Sequence, residues 1–81
     1  MRVKVRLFAR LRDLVGSAEV DQAVPEGATI ATVWDGLVSQ HPALADYSRA
    51  VSCARNDDFS RMQAPVRDGD EIAFLPPVSG G

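Results

Sequence analysis

Arg2-Val3-Lys4-Val5-Arg6-Leu7-Phe8 alternates charged and apolar residues almost without a break. Successive side chains of a strand point to opposite faces. Val3, Val5 and Leu7 therefore share one face, and Arg2, Lys4, Arg6 and Phe8 share the other. This is the pattern of a half-buried strand, with Phe8 as the odd aromatic on a charged face. Residues 9–15 read as a short helical turn, closed by Gly16 at a C′ position. Residues 18–24 fit a second strand, with Ala18, Val20 and Val24 on one side and Glu19, Asp21 and Ala23 on the other.

Beyond this pair, Pro25-Glu26-Gly27 is a turn signal. Thr29 suits an N-cap. Ile30, Val33, Trp34, Leu37 and Val38 then fall at i, i+3, i+4, i+7 and i+8, the apolar stripe of an amphipathic helix. That stripe assigns Trp34 to core packing rather than to a ligand. His41-Pro42 ends the helix, because proline disfavours helical geometry in the residue before it. A short helix is expected at 43–47, a strand at 49–55, a turn at Asn56-Asp57-Asp58 and a short strand around 59–62. Arg67-Asp68-Gly69-Asp70 is a further turn. Glu71 to Leu75 is the final strand, with Ile72 and Phe74 on one face and Ala73 and Leu75 on the other.

The resulting order, β-β-α-β-(β)-β, predicts an α+β domain in two layers, a mixed sheet packed on one main helix. With a right-handed crossover, the first and last strands pair in parallel at the sheet centre. This is the β-grasp arrangement of ubiquitin-like proteins. The division expected is a β-grasp domain over residues 1–75 and an extended tail over 76–81. The helix leaves one sheet face open, where Phe8 and Leu75 sit on neighbouring strands. They either form a docking patch beside the tail or close the sheet edge and pack under residues 9–16.

Composition bounds the function. Eighty-one residues with 46% hydrophobic content make one small packed domain with little interior for a buried active site. A net charge of −2 gives no electrostatic reason to expect nucleic-acid binding. Arg2, Lys4, Arg6, Arg10 and Arg12 read as a solvated face. One cysteine, Cys53, excludes an intrachain disulfide and a multi-cysteine zinc site, and is expected to be a small buried residue. No apolar run is long enough to span a membrane and no signal-peptide core is present, so a cytoplasmic location is expected. There is no phosphate-binding GKS/T loop, metal spacing or nucleophile elbow, and His41 reads as a helix-end residue.

The sequence ends Pro76-Pro77-Val78-Ser79-Gly80-Gly81. The prolines end the strand, having no N–H to donate, and favour an extended path with little entropy left to lose on docking. Glycine has no Cβ, so its backbone can enter a channel too narrow for side chains. The Gly81 carboxylate can attack the α-phosphate of ATP, giving an acyl-adenylate open to a sulfur nucleophile or an amine. A frayed terminus would look similar in isolation. The rigid proline lead and the β-grasp pattern distinguish this one.

Leu7-Phe8-Ala9-Arg10-Leu11-Arg12-Asp13-Leu14-Val15-Gly16 and Asp68-Gly69-Asp70-Glu71-Ile72-Ala73-Phe74-Leu75-Pro76-Pro77-Val78-Ser79-Gly80-Gly81 resemble the opening and closing signatures of the small, sulfur-carrying subunits of molybdopterin synthase. The resemblance spans the chain. Arg55 before Asn56 departs from the family's usual hydrophobic residue. The resemblance implies that a ubiquitin-activating-type adenylyltransferase uses ATP to adenylate Gly81. A persulfide donor then converts the adenylate to a thiocarboxylate. The tail next enters the large synthase subunit, in a heterotetramer, and delivers sulfur to cyclic pyranopterin monophosphate to build the molybdopterin dithiolene. It further implies Gly81 as the sulfur-bearing residue, Gly80 as needed for passage, and Phe8, Leu75, Pro76, Pro77 and Val78 as partner-binding. Catalytic side chains belong to the large subunit, and no metal or stably bound cofactor is expected. The alternatives are a thiamin-type sulfur carrier, a ubiquitin-like protein modifier, for which the single Lys4 limits self-chains, and an interaction domain with an inert tail.

Overall fold

Val3, Val5 and Leu7 are driven inward from the first strand, and the sheet is built around it. The computed structural model describes residues 1–77. Strand β1 (Arg2–Leu7) is central, alternating exposed and buried residues along its length. Strand β2 (Glu19–Ala23) pairs antiparallel with it on one side, Val5 opposite Val20. Strand β5 (Glu71–Leu75) pairs parallel on the other, Val5 opposite Ile72 and Leu7 opposite Phe74. Strands β3 (Ser52–Arg55) and β4 (Asp58–Ser60) complete the order β2-β1-β5-β3-β4. A mixed five-stranded sheet carrying its helices on one face is the α+β arrangement expected.

Helix α2 (Ile30–Gln40) covers the inner face. Thr29 and Thr32 cap it reciprocally, each side chain accepting from the other's backbone N–H. Ile30, Val33, Trp34 and Leu37 are buried, each stabilising the fold by about 1.5–3 kcal/mol relative to exposure. The Trp34 ring tilts against Phe74 at 5.0 Å between centroids, and its indole N–H donates to Ser48 Oγ. The indole thus keeps its polar partner while its body fills the core.

Several boundaries differ from those read in the sequence, each for a local reason. The third strand begins at Ser52 rather than 49, because the N–H groups of Ala50 and Val51 both donate to the Tyr47 carbonyl. That turn closes a 3₁₀ helix (Pro42–Tyr47), which begins one residue earlier than expected. Asn56 and Asp57 both have positive φ, 50° and 73°. Two such residues make a tight hairpin connection, so Asp58 already pairs with Arg55 and β4 ends at Ser60 rather than running to 62. Helix α1 (Ala9–Val15) ends at Gly16 in the left-handed region, as expected. In β2 the inward face includes Gln22, which is buried. Its amide crosses α2 at Gly36, where a Cβ would collide with it.

Candidate functional site: the open sheet face and the root of the tail

Strand alternation that buries Val3, Val5, Leu7, Ile72, Phe74 and Cys53 turns their neighbours to the uncovered face. Register then places those neighbours in rows. Glu19, Arg6, Ala73, Ala54 and Phe59 form one row across the sheet. Leu75 and Ser52 form the next, toward the end where β1 and β5 both finish.

Phe8 follows Leu7 just as Leu75 follows Phe74, so the two residues lie at the same end of adjacent parallel strands. Phe8 keeps extended geometry (φ −124°, ψ 152°) before α1 begins. The alternation of β1 therefore carries its ring onto the open face, where the Arg6 guanidinium lies 5.6 Å from the ring centroid. Ala9 has φ 50°, a left-handed conformation that costs a non-glycine residue on the order of 1 kcal/mol. This sharp exit into α1 leaves Phe8 exposed at the corner. Leu75 is half-buried, and Pro76 and Pro77 continue from it without strand pairing. Of the residues singled out in the sequence, the structure brings Phe8, Leu75, Pro76 and Pro77 to one end of the sheet. Val78, Gly80 and Gly81 lie outside the described residues.

Phe59 was not singled out by sequence reasoning, yet it is 81% exposed, against 36% for Phe8. It stands on the edge strand β4, opposite Ala54. With Phe8 and the half-buried Ala73 and Leu75 it extends an apolar strip from the sheet edge to the root of the tail, with Ala54 buried in the same row. A signal was present: in Asp58-Phe59-Ser60 an aromatic alternates with polar residues, which places it alone on its face.

The opposite end of the sheet is held by Asp70. Its carboxylate accepts from Arg55 Nε at 2.7 Å, from the Arg67 backbone N–H at 2.7 Å and from Asn56 Nδ2 at 3.1 Å. Burial alone would raise its pKa. The hydrogen bonds from Arg55, Arg67 and Asn56, with the Arg55 charge, outweigh that and hold it below the usual carboxylate value. The Glu71 N–H donates to Asn56 Oδ1. The 67–70 turn and the 56–57 turn are thereby locked together, and β5 enters the sheet in fixed register. Arg55, the residue that departs from the resembled family, is part of this lock.

Cys53 is buried, donates weakly to the Ser60 carbonyl, and has its thiol pKa raised by burial. A raised pKa keeps the thiol protonated and unreactive. Among the described residues no group of histidine, cysteine and acidic side chains could hold a metal ion. No helix among them is long and apolar enough to cross a membrane.

Order, register and open face together define a ubiquitin-like β-grasp protein. The chain belongs to the ThiS family, whose profile matches residues 5–81. It is 37% identical over 81 residues to the molybdopterin synthase sulfur carrier subunit of Arabidopsis thaliana, covering all of this chain and 84% of that one. It is 33% identical to the protein of the same designation from Escherichia coli, covering 98% and 99% of the two chains. The crystal structure of small archaeal modifier protein 1 from Haloferax volcanii superposes with a TM-score of 0.85 at 34% identity, covering 100% of each chain. The general role that this family membership gives the chain is that of a sulfur carrier.

Proposed function

We propose that this chain is the sulfur-donating subunit of a molybdopterin synthase. The observation that carries the reading is end-to-end similarity to relatives of that designation, over a sequence finishing in Pro76-Pro77-Val78-Ser79-Gly80-Gly81. The Gly81 carboxylate attacks the α-phosphate of ATP in an adenylating partner and expels pyrophosphate. A persulfide sulfur attacks the acyl-adenylate and AMP leaves. Cleavage of the S–S bond by a second thiol then leaves a Gly81 thiocarboxylate and a disulfide on the donor. The charged sulfur is the competent nucleophile, as with any thiol acid.

The loaded tail next enters the large synthase subunit, where its sulfur attacks cyclic pyranopterin monophosphate. Hydrolysis of the resulting thioester returns the carboxylate. Two such rounds build the dithiolene. Gly80 lets the backbone pass a narrow channel, Pro76 and Pro77 favour an extended path, and Val78 is a partner-binding residue. The strip formed by Phe8, Leu75 and Phe59 is the docking surface for the large subunit, with Phe59 as its most exposed anchor. This chain supplies the acyl terminus, and its partners supply the catalytic side chains.

A second reading, a protein modifier, is favoured by the likeness to the Haloferax modifier protein. The two diverge at Gly81: a carrier ends on sulfur, a modifier on a lysine amide. Reconstitution with the adenylating enzyme, a sulfur donor and the large subunit tests the proposal. Dithiolene formation that depends on Gly81 is expected. Amide adducts on other proteins without sulfur transfer would replace the carrier by the modifier.

A further inference from the structure

The charges of this chain are not spread evenly along the sheet. Glu26, Asp57, Asp58, Asp68 and Asp70 all sit in or beside the turns at the end away from the tail, where Ala23 pairs with Arg2, Arg2 N–H donates to Asp68, and Asp58 pairs with Arg55. Arg2, Arg55 and Arg67 share that end, with Arg55 bound to Asp70, and leave it net negative. The tail end carries the opposite sign. Arg10 and Arg12 lie on α1, which leaves the end of β1. Arg49 lies in the turn before Ser52, the partner of Leu75. Arg61 follows Ser60, which pairs with Cys53 beside Phe74. All four are exposed.

Among the described residues Arg10, Arg49 and Arg61 have no ion-pair partner, and Arg12 has only Asp13 at 3.9 Å. The acids at this end are Asp13, Asp46 and Glu19, and Glu19 is taken by Lys4 at 3.2 Å. A chain of net charge −2 thus presents a cationic collar around the root of its tail.

The collar cannot serve the chemistry at Gly81 directly. Six extended residues span at most about 20 Å, more than two screening lengths of about 8 Å at physiological salt. It therefore meets whatever surrounds the mouth of the channel that takes the tail. Loading also has an electrostatic obstacle: the Gly81 carboxylate must approach the triphosphate of ATP, a like charge. Attraction has to come from elsewhere on the two surfaces.

We infer that Arg10, Arg12, Arg49 and Arg61 steer this chain, tail first, onto a carboxylate-lined channel mouth of the adenylating enzyme. The inference rests on the sulfur-carrier reading and adds the partner's surface chemistry. Steering of this kind acts on the association rate and is screened by salt.

The test uses the full chain and the adenylating enzyme of the same organism, read by ATP–pyrophosphate exchange and by stopped-flow association. Arg10→Glu with Arg61→Glu is expected to slow association at least about tenfold at low salt. The loss should fade at high salt, with the exchange rate at saturation unchanged. Arg49→Glu adds to it. Arg67→Glu, at the far end, leaves association unchanged. Circular dichroism confirms folding of each variant. Equal slowing by Arg67→Glu, a salt-independent loss, or no slowing by the double reversal overturns the inference while the carrier reading stands. Absence of any exchange with the unsubstituted chain overturns the carrier reading and the inference together.

Discussion

Phe59→Ala separates docking from folding more cleanly than any other substitution on the open face. The side chain is 81% exposed on an edge strand, so its removal should change stability by no more than about 0.5 kcal/mol. A phenylalanine has roughly 200 Å² to bury, of which about 160 Å² remains in water here. At about 25 cal/mol per Å², covering that area contributes about 4 kcal/mol as an upper limit. Alanine retains part of the contact, and ordering the ring on docking costs part of the rest. The expected loss is about 2–3 kcal/mol, or roughly 30- to 150-fold in Kd. The assay is calorimetric titration of the variant into the large synthase subunit of the same organism, beside a thermal melt. An unchanged melt with a Kd within about twofold of the parent would refute the open-face docking argument.

Four further outcomes follow from named contacts. Phe8→Ala, which removes the ring beside Arg6, should weaken the same complex more than it weakens folding, and unfolding of the variant in a thermal melt would contradict this. Asp70→Asn should cost about 2–3 kcal/mol at neutral pH, lowering Tm by about 10–20 °C, because charge-assisted bonds from Arg55, Arg67 and Asn56 weaken together. Since the folded pKa of Asp70 is depressed, its contribution is full above the unfolded value of about 4 and is lost as pH falls through the folded value. The Tm gap between parent and variant should therefore close in acid, and a gap that persists there would contradict the assignment. Gly36→Ala should gain about 1 kcal/mol of helix propensity in a Gln22→Ala background, but less beside the native Gln22 amide, and equal gains in denaturant titrations of both backgrounds would refute the crossing. Deleting Gly81, or appending a residue after it, should abolish sulfur transfer with no change in the melt.

The β-grasp order was legible because its elements are locally consistent. Strict alternation in β1, a capped stripe from Ile30 to Leu37 and a proline stop all point the same way. The parallel pairing of β1 with β5 followed from connection rules rather than from any residue. What stayed hidden depends on contacts distant in sequence. The exposure of Phe59 is decided by which strand takes the sheet edge. The lock at Asp70 joins residues 14 and 15 positions apart, and no period or spacing announces it. The left-handed Ala9, which sets the corner at Phe8, contradicts local propensity and could not be read from an alanine. Gln22 lies buried in β2 with its amide against Gly36 of the helix, a contact between residues 14 positions apart that no local pattern announces. The proposed tail chemistry, by contrast, rests on residue identity alone.

Sulfur carried on Gly81 would be read most directly in the intact mass of the protein isolated from its own host. A population heavier than the bare chain by the exchange of one oxygen for sulfur is expected, lost when Gly81 is deleted or the adenylating enzyme is absent. A host-isolated protein found only at the mass of the carboxylate, or only as lysine-linked adducts, with the adenylating enzyme active, would contradict it.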